Sequence, residues 1–447
     1  MTNFQDLGLA DPILKAVNTA GYRTPTPIQR DVIPAINAGK DVIGIAQTGT
    51  GKTASFVLPI LNKIAGTRKK IWPKTCGALI LTPTRELAQQ IAEGIKTYST
   101  FMKVSAPVIV GGVSSKPQIK ACARGVDIIV ATPGRLLDLI EADAIRLDQT
   151  FQVIADEADQ MMDMGFLPAI RKIMQALPKK RQTVLLSATM PPKIRSLAKD
   201  FMYKPTEISV APASKPIDRI TQTVKRVEKA AKKAALLEIL SDKDVSKTVV
   251  FTRTKHGANK LAVYLDKAGY PALAIHGNKS QSQREKSLAS FRAGKTKILV
   301  ATDIAARGID IDDVSHVVNF ELPNVAESYV HRIGRTARAG RNGIAISFCD
   351  PSEMEYLRDI EKLTGQSLLP GSPRETQKRR KPRPSGNSGK KKNSAALRKA
   401  RANQKGKQPS KHKARKNQQK TRKPEGGMPN DGLMRTLGKS KPQSAAA

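Results

Sequence analysis

The stretch DVIGIAQTGTGKTASFVLPILNKI, residues 41–64, decides the fold. It opens on a short β-branched run, turns through glycines, and continues as the apolar-periodic ASFVLPILNKI. Strand, glycine-rich turn and helix in that order is the context a phosphate-binding loop requires. In AQTGTGKT (Ala46, Gln47, Thr48, Gly49, Thr50, Gly51, Lys52, Thr53) the glycines let backbone N–H groups approach phosphate oxygens, and the helix N-terminus favours negative charge there. Lys52 is placed to reach the β- and γ-phosphates and Thr53 to face Mg²⁺. The general pattern starts with glycine where this chain has Ala46.

Outward from that loop, short apolar runs alternate with amphipathic stretches, the pattern of a parallel sheet covered by helices. In the first half the runs are DVIGIAQ, ALILTP, VSAPVIV, DIIVATP, QVIADEA and TVLLSAT. The segment APASKPID (211–218) interrupts the rhythm, and KTVVFTRT, PALAIHG, KILVATD, HVVNFEL and GIAISFC resume it. The expectation is two tandem α/β domains, 1–210 and 219–372, joined by a linker at 211–218 and followed by a tail at 373–447. Nearly every chemically suggestive residue follows one of these runs. Ligands of open parallel sheets bind beyond the carboxyl ends of the strands.

That placement explains a second stretch, FQVIADEADQMMDMGF (151–166), where a core strand runs into Asp156, Glu157 and Asp159. Burying unpaired charge is costly. Beside a phosphate-binding loop the acids acquire a purpose: Asp156 to hold Mg²⁺ directly or through its water, and Glu157 to orient and polarise an attacking water. Asp159 either caps the following helix or couples the site to something else.

Composition bounds the rest. The 447 residues carry a net charge of +39, and from Arg374 onward 24 Lys+Arg stand against 3 Asp+Glu, giving +21. That tail contains no Phe, Trp or Tyr, so it is expected to be disordered and drawn to phosphate backbones. Cys76, Cys122 and Cys349 are too widely spaced for a disulfide framework or zinc site and suit a reducing cytoplasm. No run approaches the ~20 apolar residues of a membrane span.

The tetrapeptide Asp156-Glu157-Ala158-Asp159 resembles the signature of the DEAD-box ATP-dependent RNA helicases, and the likeness extends over roughly residues 1 to 370. The short N-terminus and basic tail look like the bacterial RhlE-like branch. The resemblance implies two RecA-like domains, ATP with Mg²⁺, and local separation of short RNA duplexes. It implies that GYRTPTPIQ (21–29) is a Q motif, with Gln29 on the adenine edge, Tyr22 beside it and Phe4 stacked on the base. Ser187 and Thr189 of SAT would link Asp159 to the second domain. ATDIAARGIDI (301–311) and HRIGRTARAG (331–340) resemble motifs V and VI. There Asp310 would meet the ribose and His331 the Asp159–Ser187 region. Arg335 and Arg338, three apart as on a helical turn, would set guanidinium forks on the γ-phosphate. Ala337 stands where the family usually has glycine, which puts the rate in question.

The resemblance further implies RNA contacts at Pro83, Thr84, Arg85, Gly111, Gly112, Thr132, Pro133, Gly134, Arg135, Arg253, Gln281, Arg284, Thr302, Asp303 and Arg307. Only 4% of the chain is aromatic, which argues for tracking of the backbone rather than readout of bases. Ribosomal particles or the RNA-decay machinery are possible partners; no membrane is expected. Two rivals are a DNA translocase of the same superfamily and a non-catalytic RNA annealer acting through the tail.

Overall fold

The computed structural model describes residues 3–47, 49–67, 70–210, 219–306, 314–337 and 342–369. The expected linker at 211–218, the tail at 373–447, and Thr48, Arg307, Asp310 and Arg338 lie outside the described residues.

The first lobe is a parallel sheet of seven strands: β1 (Val42–Ile45), β2 (Cys76–Leu81), β3 (Val108–Ile109), β4 (Val126–Ala131), β5 (Gln152–Ala155), β6 (Gln182–Ser187) and β7 (Thr206–Ser209). Their order is β3-β4-β2-β5-β6-β1-β7. Successive strand residues face opposite sides. Val42, Ile80, Ile154 and Val184 pack under α1 (Asp11–Thr19), α2 (Pro27–Asn37), α3 (Lys52–Gly66) and α4 (Arg85–Tyr98). Ile43, Leu79, Val153 and Leu185 pack under α5 (Ser115–Cys122), α6 (Pro133–Glu141), α7 (Ala158–Asp163), α8 (Leu167–Ala176) and α9 (Pro192–Phe201). Burial of both faces is why these strands read as continuous apolar runs.

The second lobe repeats the plan with β8 (Ile220–Arg226), β9 (Thr248–Phe251), β10 (Ala272–Ile275), β11 (Ile298–Ala301), β12 (His316–Asn319) and β13 (Gly343–Cys349), ordered β10-β11-β9-β12-β13-β8. Its helices are α10 (Lys232–Leu240), α11 (Lys255–Lys267), α12 (Gln281–Arg292), α13 (Asp303–Ala306), α14 (Ala326–Ile333) and α15 (Met354–Thr364).

Three details differ from the sequence expectation. Strands β7 (TEIS) and β8 (ITQTVKR) were absent from it, because each closes a sheet edge and is half polar. Of VSAPVIV only Val108 and Ile109 pair as strand. All three cysteines are buried free thiols, and burial pushes Cys76 up to about 12, the state of an inert apolar filler.

Register carries the function. Ile45 lies opposite Ser187, and Ala155 lies opposite both Leu81 and Leu185. The carboxyl ends of β1, β2, β5 and β6 therefore finish side by side, and the residues after them share one cleft.

Candidate active site and nucleic-acid interface

The turn from β1 into α3 uses glycine where the backbone demands it. Gly49 and Gly51 have φ of 84° and 87°, the left-handed region that L side chains rarely adopt. At Gly51 a Cβ would stand 2.5 Å from Gln29 Nε2. Gln29 is 4% exposed: its Oε1 accepts the N–H of Thr26 (2.9 Å) and its Nε2 donates to the carbonyl of Gly51 (3.1 Å). The Q-motif glutamine is thus bonded directly to the phosphate loop. Thr50 Oγ1 braces the same turn by donating to Gln47 O (2.7 Å), and Ala46 is fixed by its N–H on Ser187 O (3.0 Å).

Lys52 begins α3, with Thr53 next to it. Lys52 is 6% exposed and its Nζ has no hydrogen-bond partner among the described residues. An ammonium removed from water without a partner is costly by several kcal/mol. Around it stand the acids that follow β5. Asp156 Oδ1 accepts the N–H of Glu157 (2.9 Å), which leaves Oδ2 as the oxygen available to a cation. Glu157 adopts a left-handed φ of 51°, and its Oε2 is buried without a partner among the described residues. Burial raises the Asp156 carboxyl against the pull of Lys52. Burial also pushes Glu157 up to about 7, opposed first by Lys52 and also by Arg335 of the second lobe.

This donor set fits a metal–triphosphate. A lone buried ammonium calls for an anion, and a nearby carboxylate with one spare oxygen calls for a cation. Among the described residues no cluster of three His, Cys, Asp or Glu could hold a metal alone. A cation here would therefore draw ligands from phosphate as well as from Asp156 and Thr53, as Mg²⁺ commonly does.

Asp159 resolves toward coupling within the first lobe. Its Oδ2 accepts the N–H groups of Ala188 (3.1 Å) and Thr189 (2.9 Å) and the hydroxyl of Thr189 (3.0 Å), while its own N–H donates to Ser187 Oγ (3.2 Å). Phe4 lies between the core and a cleft. It is 6% exposed and packs in the core with Leu7 and Ile13, although it edges a cleft of about 560 Å³ shared with Tyr22 and Arg23. Tyr22 is half exposed and leans on Tyr98, ring centroids 6.0 Å apart.

Arg335 lies just past a helix. Helix α14 ends at Ile333, so Arg335 sits on the turn beyond it, not on a helix. The next residue, Thr336, bonds to Val314 and Ser315, which precede β12. Arg335 therefore lies near the start of β12 and β13, opposite the strand ends that carry most other site residues. His331 is in the last turn of α14, and its carbonyl accepts Arg335 Nε (3.3 Å). Ala337 has φ of 57°, so the methyl at this position sits on a left-handed turn.

The expected nucleic-acid contacts divide into three groups. Some build the surface. Gly112 has φ of 71°, and a Cβ there would strike the Arg85 guanidinium at 2.0 Å; Gly111 lies under the same side chain. Arg135 donates to Val113 O (3.0 Å), tying α6 to this glycine turn. Thr84, after Pro83, caps α4 by accepting from Leu87 N (3.2 Å), and Thr132, Pro133 and Gly134 open α6. Two helix N-termini thus face the same surface, suited to phosphate.

Others join the lobes. Arg284 Nε stands 2.8 Å from Glu86 Oε1, with side chains 10% and 4% exposed, and Arg85 Nη1 donates to Gln281 Oε1 (3.4 Å).

The third group, Asp303 and Arg253, is engaged inside the second lobe. Both Asp303 oxygens are held by Arg332, which also donates to Asn319 Oδ1 (3.1 Å) and Glu321 O (2.7 Å) and stacks over Phe251. A carboxylate so held braces the start of α13 after Thr302. Arg253 lies 3.7 Å from Glu321 and 3.4 Å from Glu353, and Glu353 with Asp350 in turn neutralises the buried Lys232. Sequence reasoning missed Glu86, Arg332 and Lys232, although Glu86 directly follows Arg85 and Arg332 lies inside the quoted HRIGRTARAG.

Comparison with known proteins is consistent with this geometry. Residues 26–197 match the DEAD/DEAH box helicase family and residues 231–340 the helicase conserved C-terminal domain. The chain is 42% identical over 370 residues to "ATP-dependent RNA helicase CshA" of Limosilactobacillus reuteri, covering 83% of this chain and 73% of that protein. It is equally identical over 368 residues to "DEAD-box ATP-dependent RNA helicase CshA" of Geobacillus kaustophilus, 82% of this chain and 78% of the relative. These relatives carry the name CshA and lend no support to the RhlE-like branch expected from the termini. Among solved structures, S. cerevisiae Dbp5 bound to RNA and ADP BeF3 superposes with a TM-score of 0.73 at 32% identity, over 83% of this chain and 95% of that one.

Proposed function

Because this chain belongs to the DEAD/DEAH box helicase family, we propose that the cleft built by Lys52, Asp156 and Glu157 hydrolyses ATP with the help of Arg335 from the second lobe. The protein is an ATP-dependent RNA helicase, and its ATP hydrolysis depends on RNA. The observation that carries the site assignment is Lys52: a buried ammonium without a partner among the described residues, set against two buried acids, of which Glu157 also feels Arg335.

In this reading Lys52 and the N–H groups of the 46–51 turn bind the phosphates, and Gln29 reads the adenine edge. Asp156 and Thr53 would hold Mg²⁺, which supplies charge neutralisation for the phosphoryl oxygens when bound. Glu157 takes the proton of the attacking water through Oε2, and its carboxyl near 7 suits proton transfer at neutral pH. Arg335 brings a fixed cation to the developing charge, a term that can reach about 10³–10⁵ in rate in such reactions. Asp159 transmits the state of this cleft to Ala188 and Thr189 through three hydrogen bonds.

On the other face, Arg85 over Gly112 and the N-termini of α4 and α6 bind RNA phosphates without regard to sequence. Closure of Glu86 on Arg284 would present a strand path that a duplex does not fit. The basic tail adds affinity for structured RNA, and the site of action is the cytoplasm. Crosslinking in cells with RNA sequencing separates ribosomal particles from RNA-decay assemblies as targets.

Steady-state ATP hydrolysis with single-stranded RNA or DNA tests the reading. RNA should stimulate and DNA should not; equal stimulation defeats the RNA assignment. Glu157→Gln should lower kcat by about 10²–10⁴, the range of a lost general base, and unchanged RNA remodelling with ATP would favour the annealer instead.

A further inference from the structure

Arg335 can serve the cleft of the first lobe only if its turn is held still, and the turn is too short to hold itself. Gly334, Arg335 and Thr336 donate their N–H groups back to Val330 (3.0 Å), Arg332 (3.1 Å) and Ile333 (3.1 Å). Those bonds fix the turn to its own helix only. Among the described residues, the Thr336 side chain ties it to the sheet. Thr336 is 2% exposed, and its hydroxyl donates to the carbonyl of Val314 and lies 3.3 Å from that of Ser315. Ser315 O also accepts from Ile344 N (3.2 Å), so the anchor is the paired start of β12 and β13. Against the other side of Thr336 lies Gly343. A Cβ there would come within 2.4 Å of both Thr336 Oγ1 and Cγ2 and within 2.7 Å of Ala337 N. The missing side chain at 343 is what lets the turn lie against the sheet.

We propose that Thr336 is a positioning residue for hydrolysis: its hydroxyl, seated against Gly343, latches the turn that carries Arg335 to the start of β12. This deepens the proposed function and rests on the role assigned there to Arg335. The residue touches no reacting atom. Its effect runs through the placement of Arg335, whose charge reaches Glu157 across the lobes. A displacement of about 1 Å in a catalytic group can cost on the order of 10²-fold in rate, and a lost latch should fall part of the way to that.

Three variants of the full chain, assayed for RNA-stimulated ATP hydrolysis, test the latch. Thr336→Val keeps the shape and removes the donor; kcat should fall roughly tenfold, with KM for ATP and for RNA within about twofold. Thr336→Ser restores the donor and should return kcat to within about twofold of the parent. Gly343→Ala pushes the turn off the sheet and should lower kcat as Thr336→Val does, which keeps the test decisive if the valine variant does not fold. A parental kcat in Thr336→Val or in Gly343→Ala overturns the latch, as does an equal loss in valine and serine variants. Arg335→Gln is the separate control: if that variant turns over normally, the proposed role of Arg335 fails rather than the latch alone.

Discussion

Replacing Glu157 with glutamine should make the nucleotide-free protein more stable above pH 7 and leave it nearly unchanged at about pH 4. In the folded chain burial holds this carboxyl protonated up to about 7, against an ordinary value of 4.5. The unfolded chain gives up the same proton near 4.5, so between 4.5 and 7 the folded state binds more protons and loses stability as pH rises. The interval of 2.5 units at 1.36 kcal/mol per unit gives a penalty of roughly 3 kcal/mol, fully present above pH 7 and absent below 4.5. The opposition from Lys52 and Arg335 is already contained in that value. Glutamine has no proton to lose and so escapes the penalty. For a lobe of this size, 2–4 °C per kcal/mol gives a rise of about 6–12 °C at pH 8.5. Calorimetry at the two pH values reads the difference. A variant that melts below the parent at pH 8.5, or by the same difference at both pH values, refutes the reasoning.

Three further outcomes are expected. Ala337→Gly removes a methyl from a left-handed residue and should stabilise the second lobe by roughly 0.5–1 kcal/mol, read by calorimetry; a loss of stability would mean the left-handed turn is wrong. Glu86→Arg and Arg284→Glu should each impair closure of the lobes at least tenfold in fluorescence distance measurements with ATP analogue and RNA, since breaking a buried pair costs about 3–5 kcal/mol. The doubly swapped variant should recover most of this closure, and failure to recover denies the pair its role. Deleting 373–447 should weaken RNA binding and flatten its dependence on salt, because fewer counterions are released; an unaltered slope shows that the tail is not an electrostatic arm.

The chain made its architecture legible because both faces of each sheet are buried, so interior strands announce themselves as apolar runs. The edge strands TEIS and ITQTVKR had no such signal; their place is set by pairing with β1 and β13. Site residues were legible where chemistry depends on neighbours in sequence, as with Lys52 after its glycines or Asp156 beside Glu157. Partners distant in sequence were not legible. Nothing near Asp303 reveals that Arg332 will hold it, and nothing near Arg284 reveals that Glu86 will face it. Phe4 shows the same limit: an aromatic ring suits both core and base, and this one packs in the core at the edge of a cleft.

The double bond of Gln29, to Thr26 on one side and to Gly51 on the other, carries a consequence for nucleotide choice. Its amide keeps one N–H and one oxygen lone pair for a base, but on the same two atoms that brace the phosphate turn. A purine offering the wrong edge would therefore loosen the turn that grips the triphosphate as well as bind weakly itself. Discrimination between ATP and GTP should then appear in turnover at saturating nucleotide, not in affinity alone.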